Sequence, residues 1–151
     1  MAQTVSALYT HIIFSTKNRT PLITTGIQER LWRYLGGICS DLNCTPIQIG
    51  GSADHIHIFC ILSREVALSD LVRKLKSHST VWVKATFHEA YDFCWQRGYG
   101  AFSVNPQEKD TVIEYIVHQQ EHHKNRSFQD ELLVFLKKYG VAYDEKYLWS
   151  D

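Results

Sequence analysis

The sequence predicts an α+β fold in which helices cover one mostly antiparallel sheet. Up to about residue 104, segments rich in β-branched and aromatic residues alternate with segments whose apolar residues recur every three or four positions. After that point only the second kind remains, which predicts consecutive helices. With 151 residues, 44% of them hydrophobic, the chain can bury the core of one domain, residues 1–151, and is short for two.

The first part of the chain contains the first two strands and one helix. Residues 5–15 are rich in β-branched and aromatic side chains and predict a strand. Thr24 or Thr25 can cap the helix that follows. Residues 44–49 then predict a second strand, and the turn at residues 50–53 joins it as a hairpin to a third.

The third strand carries two histidines on one face. Residues 54–62 alternate with period two, so His55 and His57 point to one side and the apolar residues between them to the other. A rise of about 3.3 Å per residue separates their Cα atoms by about 6.6 Å, which lets both rings reach one metal ion. A lone His-x-His pair is more often a pair of hydrogen-bonded histidines in a half-buried strand, so the other elements must decide.

The next helix, which Ser69 can cap, has a basic outer face. Its cations are Arg73, Lys74, Lys76, His78 and Lys84. Such a face is typical of a solvated helix or of one that contacts phosphates. The segment that follows contains Trp95, Arg97 and Tyr99, on which unpaired bases can stack, although such aromatic residues more often lie in a core. A short strand follows them.

The third predicted helix begins after Pro106 and runs from about Gln107 to Lys124. Tyr115 and Gln119 are four residues apart in it and therefore share one face. A tyrosine hydroxyl, with a pKa of about 10, becomes a useful nucleophile only beside a metal or a base. Two histidines and an amide oxygen would form a mixed nitrogen and oxygen site that suits Mg²⁺ or Mn²⁺.

A fourth helix starts at Ser127, with Asp130 and Glu131 in its first turn, and stops near Gly140. The apolar tail from Val141 should dock on the body of the protein or on a second subunit. The order strand, helix, strand, strand, helix, strand is the ferredoxin-like (split βαβ, RRM-like) pattern, with helices on one face plus the C-terminal helices. It places the histidines on a central strand.

Composition limits the function classes. The 16 Lys and Arg residues balance 16 Asp and Glu residues, so net charge gives no indication of a nucleic-acid partner. The four cysteines form no Cys-x-x-Cys pair and are interpreted as free, packed thiols. There is no signal-peptide pattern and no apolar run of membrane-spanning length, so we expect a cytoplasmic protein without a membrane partner.

Taken together, these elements resemble the single-tyrosine transposases of the insertion sequence 200/605 group. His55-Ile56-His57 looks like the HUH motif of that family, and Tyr115 followed by Gln119 looks like its tyrosine helix. Further matches are residues 74–79, 98–104 and 115–123.

The resemblance implies an enzyme that cuts and rejoins single-stranded DNA during transposition. Tyr115 would attack the scissile phosphate, leaving a 5′-phosphotyrosine and a free 3′-hydroxyl, while His55, His57 and Gln119 bind Mg²⁺ or Mn²⁺. Family members are homodimers that recognise hairpins at the ends of the element, and the tyrosine helix of one subunit can join the histidines of the other. The residues expected to contact DNA are Arg73, Lys74, Lys76, Lys84, Arg97 and Tyr99.

Three alternatives stay open at this point. A domesticated relative would process repeated palindromes for its host, but such relatives usually lack the glutamine, so Gln119 favours a mobile element. His118 and His122 lie four apart and could join the strand histidines in the zinc site of a hydrolase. A non-catalytic binder of single-stranded RNA or DNA could use the same scaffold.

Overall fold

The computed structural model describes residues 1–123 and 126–150, without the side chains of His122 and His123. The strands and helices follow in the order β1 (Leu8–Ser15), α1 (Thr25–Asp41), β2 (Thr45–Gly51), β3 (His55–Leu62), α2 (Leu68–Thr86), β4 (Gly100–Ser103), α3 (Lys109–Val117), α4 (Gln119–His123), α5 (Phe128–Lys138) and α6 (Glu145–Leu148). Short 3-10 turns lie at Lys17–Arg19, His88–Ala90 and Pro106–Glu108. No helix in the described ranges is long and apolar enough to cross a membrane.

The four strands form one sheet in the order β2-β3-β1-β4, and each neighbouring pair is antiparallel. This topology confirms the predicted ferredoxin-like architecture. β3 lies between β2 and β1, so the two histidines are on a central strand as predicted. An interior position gives β3 backbone partners on both sides, which holds its side chains in a fixed register.

The two faces of the sheet are covered by different helices, because the residues of β3 alternate between them. On one face, Ile56 and Ile58 pack with apolar residues of α1 and α2. On the other face, Phe59 packs with Val112 and Ile116 of α3, and Ile13 of β1 packs with residues of α5. His55 and His57 belong to this second face, on the side of the sheet opposite α2.

Gly50 and Gly51 belong to β2, which corrects the prediction that both lie in the turn before β3. A Cβ on Gly50 would lie 2.9 Å from both the Cγ2 and the carbonyl oxygen of Ile116 in α3. A Cβ on Gly51 would lie 2.2 Å from the carbonyl oxygen of His55. The glycines are strand residues that allow α3 and β3 to approach β2 closely, and local turn propensity does not reveal this.

Of two predicted helix caps, one is wrong and the other lies at the predicted position. α2 begins at Leu68 with Ala67 at its N-cap, so the predicted cap at Ser69 is wrong. The helix starts without a capping side chain, while Leu68 packs against the core. Thr24 occupies the N-cap position of α1 as predicted, but its side chain makes no capping hydrogen bond.

The third predicted helix is interrupted. Pro106–Glu108 forms a 3-10 turn, α3 ends at Val117, and His118 has φ −96° and ψ 21°, outside helical values. α4 then begins at Gln119. The break contradicts one continuous helix, and no proline or glycine marks it in the sequence. The predicted end at Lys124 lies outside the described residues.

The fourth helix and the tail agree with the prediction. The Ser127 side chain accepts a hydrogen bond from the backbone of Asp130, and α5 ends just before Gly140, whose φ is +63°. In the tail, Leu148 and Trp149 pack against the apolar cluster between α5 and β4, while Tyr147 is exposed. The tail therefore docks partly on the body of its own chain.

Candidate active site

Side chains from β3, α3, α4 and α5 converge on the second face of the sheet. They are His55, His57, Tyr115, Gln119 and Glu131. All are buried except Tyr115, which is half-buried. The structure thus brings together every residue predicted for nucleophile and metal ligand, and adds Glu131.

His55 is held through its Nδ1 atom. Nδ1 lies 2.8 Å from Oδ1 of Asp54 and 3.0 Å from Oγ of Ser52, so Nε2 points into the cluster. There Nε2 lies 2.9 Å from Oε1 of Gln119 and 3.3 Å from Oε2 of Glu131. Burial alone lowers the pKa of His55, but its contacts with Asp54 and Glu131 outweigh burial and raise the pKa to about 9.

His57 is held in a similar way by a third histidine. Its Nδ1 lies 2.8 Å from Nε2 of His11, a fully buried residue of β1. Its Nε2 lies 3.0 Å from Oε1 of Glu131 but has no hydrogen-bond partner among the described residues. Burial lowers the pKa of both His57 and His11. Both β3 histidines therefore have Nδ1 engaged and Nε2 turned toward Glu131, which is how outer partners orient metal-binding imidazoles.

Glu131 is the centre of the cluster. Its carboxylate accepts a hydrogen bond from Nε2 of Gln119 at 2.9 Å, which leaves Oε1 of Gln119 facing His55. Burial raises the pKa of Glu131, but its contacts with His55 and His57 reverse this and hold the pKa well below its usual range. Glu131 is therefore an ionised carboxylate in a buried position.

The hydroxyl of Tyr115 donates a hydrogen bond to Glu131, and its ring meets His57 edge to face with centroids 5.7 Å apart. Burial raises the pKa of Tyr115 far above its usual value, and the charge of Glu131 and the hydrogen bond to it add to the rise. The hydroxyl is therefore protonated and needs a change in the charge around Glu131 to become a nucleophile.

The cluster fits a divalent cation. Nitrogen and oxygen atoms of His55, His57 and Glu131 lie within 4.8 Å of one another and could hold a metal ion. Nε2 of His57 is buried, faces Oε1 of Glu131 at 3.0 Å and makes no well-aligned hydrogen bond among the described residues, so it is available to a cation. Two imidazoles, a carboxylate and the nearby amide oxygen of Gln119 are donors that such a cation accepts.

Two site residues were missed by the sequence interpretation. Glu131 looks like an ordinary acid in the first turn of a helix, yet it lies on the stripe with Phe128 and Phe135 that faces the sheet. His11 and Ile13 are two residues apart in β1 and therefore share its inner face. A charged residue on an apolar helix stripe and a histidine on an inward strand face are the signals that could have identified them.

Three of the basic residues predicted for DNA contact lie away from this cluster. Arg73, Lys74 and Lys84 are on α2, on the opposite side of the sheet. Nζ of Lys76 donates hydrogen bonds to three successive carbonyl oxygens, of Gln96 at 2.7 Å, Arg97 at 2.9 Å and Gly98 at 2.7 Å. Lys76 thus anchors the segment that carries Arg97 and Tyr99, both exposed.

For His118, the zinc alternative does not agree with the structure. His118 is exposed, and its Nδ1 lies 2.8 Å from the carbonyl oxygen of Glu114. It does not join the pair His55 and His57. The side chain of His122 lies outside the described residues.

The alternative of a non-catalytic binder needs an exposed sheet face, which the described residues do not provide. A single-strand binder of this architecture exposes aromatic residues on its sheet for base stacking. Here Phe59 is 0% exposed beneath α3, and the described helices cover both faces of the sheet.

Comparison with known proteins agrees with the fold. The family model for IS200-like transposases matches residues 4–119, a range that contains Tyr115 and Gln119 and ends before Glu131. A candidate transposase from Deinococcus radiodurans R1 is 21% identical with a TM-score of 0.61, over 77% of this chain and 93% of that one. A REP-associated tyrosine transposase bound to a REP hairpin is 15% identical with a TM-score of 0.60, over 94% of this chain and 89% of that one. No curated protein matches the chain.

Proposed function

Because this chain belongs to the family of IS200-like transposases, we propose that it cuts and rejoins single-stranded DNA with Tyr115 as the nucleophile. One observation carries the proposal: the hydroxyl of half-buried Tyr115 lies against a carboxylate that also contacts both histidines of the HUH-like pair. A tyrosine held by a polar partner and a set of metal-binding side chains are groups that serve phosphoryl transfer to tyrosine.

The reaction exchanges one phosphodiester for another. The oxygen of Tyr115 forms a bond to the scissile phosphorus while the bond from phosphorus to the 3′-oxygen breaks, which leaves DNA joined to Tyr115 through its 5′-phosphate. The 3′-oxygen leaves as a hydroxyl, and its later attack on the phosphotyrosine rejoins DNA and restores the tyrosine. Glu131 holds the hydroxyl of Tyr115 by accepting its hydrogen bond, and the proton that Tyr115 loses ends on the leaving 3′-oxygen.

We propose that His55, His57 and Gln119, together with Glu131, hold Mg²⁺ or Mn²⁺. A cation bound there supplies positive charge that stabilises the phosphate and the leaving 3′-oxygen. The role of the chain is to hold the donors ready: Asp54 fixes the ring of His55, and His11 fixes the ring of His57.

The proposed partner is single-stranded DNA with hairpin ends, and the proposed assembly is a homodimer. The family membership and the likeness to a hairpin-bound transposase support the DNA partner. Tyr115 and the histidines of a single chain lie together here, which supports a site whose residues all come from one chain. An exchange of tyrosine helices between two subunits would rebuild the same cluster.

Cleavage of labelled single-stranded DNA tests the proposal. The substrates are oligonucleotides with the hairpin ends that flank the gene, incubated with Mg²⁺ or Mn²⁺ and, in parallel, with EDTA. We expect metal-dependent cleavage by the wild type and none by Tyr115→Phe, which keeps the ring but lacks the nucleophile. Equal cleavage by both proteins contradicts the proposal. Cleavage of dispersed host palindromes, with none of the flanking hairpins, favours the domesticated alternative.

A further inference from the structure

A cavity of about 190 Å³ lies between α3 and α5, directly beside Tyr115. Its walls include the rings of Tyr115, Phe135 and Tyr139, and its cationic residues are Arg126 and Lys138. This volume is below the roughly 300–1,000 Å³ of pockets that hold whole drug-sized ligands, so it suits one nucleobase and not a base pair.

The burial of the site favours entry of a substrate beside Tyr115. The exposed fractions are 0% for His55 and His57, 1% for Gln119 and 4% for Glu131. Tyr115 is half-buried and lines the cavity. A DNA strand can therefore reach the cluster from the side of Tyr115, where the cavity lies.

The charge beside this entrance also suits DNA. Arg126 is exposed, and its positive charge opposes the rise that burial and Glu131 cause in the pKa of Tyr115, so it acts on the hydroxyl. Nζ of Lys138 lies 3.7 Å from Oε2 of Glu108, and both side chains are about half exposed. Exposed pairs of this kind are weak and exchange readily for a phosphate.

The basic face of α2 cannot serve the same purpose. Leu71 and Leu75 of α2 pack on the face of β3 that carries Ile56 and Ile58, so the sheet stands between α2 and the histidines. A phosphate held on the outer face of α2 is consequently remote from Tyr115.

We propose that the cavity between α3 and α5 binds the unpaired nucleotide next to the scissile phosphate, with its base against the aromatic walls and its flanking phosphate at Arg126 and Lys138. The inference rests on the proposed function. The ligand is single-stranded DNA. The contacts nearest the reaction come from residues on or next to α5 and not from those of α2.

The cationic part is tested by fluorescence anisotropy with a labelled oligothymidylate in EDTA, over a salt series. Each phosphate contact on single-stranded DNA contributes about 0.7 to the slope of log affinity against log salt. Arg126→Ala and Lys138→Ala should each weaken binding several-fold and reduce the slope by about 0.7. Lys137→Ala is the matched control, because Lys137 is exposed on the same helix and does not line the cavity. Wild-type affinity and slope in both cavity variants would overturn the inference.

The base-binding part is tested with a substitution that fills the cavity. Val134 is 48% exposed at its edge, so Val134→Trp should fold and occupy the space of the base. An abasic position next to the cleavage site should weaken binding by the wild type several-fold and leave binding by Val134→Trp unchanged. If the wild type binds abasic and normal DNA equally, the cavity holds no base.

Failure of this inference is distinguishable from failure of the proposed function. If DNA becomes linked to Tyr115 but neither alanine substitution changes DNA binding, the proposed nucleotide site is wrong and the proposed transposase chemistry is supported. If DNA binding depends on both Arg126 and Lys138 but no DNA becomes linked to the protein with any metal, the proposed nucleotide site is supported and the proposed chemistry is wrong.

Discussion

Tyr115 donates its hydroxyl hydrogen bond to Glu131, a residue 16 positions further along the chain on a different helix. The contact joins the proposed nucleophile to the same carboxylate that faces His55 and His57. One buried acid thus contacts the groups expected to bind the metal and the group expected to attack the phosphate. The family match ends at residue 119, so Glu131 lies outside the matched range.

Glu131→Gln should weaken Mn²⁺ binding by at least about tenfold, because it replaces a charged donor with a neutral one in the same place. Isothermal titration calorimetry measures the change. Asp130→Asn is the matched control, since Asp130 is the exposed neighbour on the same helix and removes the same charge. Mn²⁺ affinity equal to wild type in Glu131→Gln would show that the carboxylate is not a ligand.

His11→Phe should weaken Mn²⁺ binding by about 10–100-fold, the usual effect of losing an outer partner of a metal ligand. A metal-binding Nε2 needs its lone pair, so the proton of His57 belongs on Nδ1, where His11 accepts it. His11→Gln can still accept this hydrogen bond and should bind Mn²⁺ more tightly than His11→Phe. The ¹⁵N shift of Nδ1 in His57 should change in the phenylalanine variant. An unchanged shift and affinity would limit His11 to packing.

The metal-free protein should lose stability as pH rises from about 6.5 to about 9. The pKa of His55 is about 9 in the folded protein and close to 6.5 when unfolded, so folding favours the protonated form. This stabilisation is complete below about pH 6.5 and disappears as pH passes about 9. Urea unfolding in EDTA measures it. Asp54→Asn should make stability depend less on pH, because it removes one group that raises the pKa of His55. A wild-type stability that does not change over this pH range contradicts the raised pKa of His55.

Gly50→Ala should lower the free energy of unfolding by about 1–3 kcal/mol, the usual effect of overpacking. The new Cβ would lie 2.9 Å from Ile116, so α3 must move away from β2 and carry Tyr115 with it. Gly37→Ala is the control, since its Cβ meets nothing within 4 Å in α1 and alanine favours a helix by up to about 1 kcal/mol. Urea unfolding compares them. Equal stabilities of the two variants would mean that α3 does not press on Gly50.

The predictable part of the site depended on local periodicity. Strict alternation in residues 54–62 fixes the shared face of His55 and His57 whatever surrounds the strand. The four-residue step from Tyr115 to Gln119 fixes their common direction even though the helix is interrupted between them, because both side chains still reach Glu131.

The missed parts depended on contacts between distant segments. Glu131 has a sufficient local explanation as an acid near a helix start, and only the packing of α5 on the sheet reveals its partners. In the sequence, Gly50 looks like a turn residue. Its real constraint is the close approach of Ile116, which belongs to a helix far along the chain and cannot be seen from local sequence. His11 meets His57 across 46 residues, a pairing set by strand order.

Mass spectrometry of the covalent product can identify the residue that attacks the phosphate. Wild-type protein is incubated with single-stranded hairpin DNA and Mn²⁺, digested with nuclease and trypsin, and its peptides are sequenced. We expect a nucleotide joined through its 5′-phosphate to Tyr115, and no such peptide from Tyr115→Phe or from a reaction in EDTA. A nucleotide on any other residue, or DNA cut by Tyr115→Phe, would contradict this expectation.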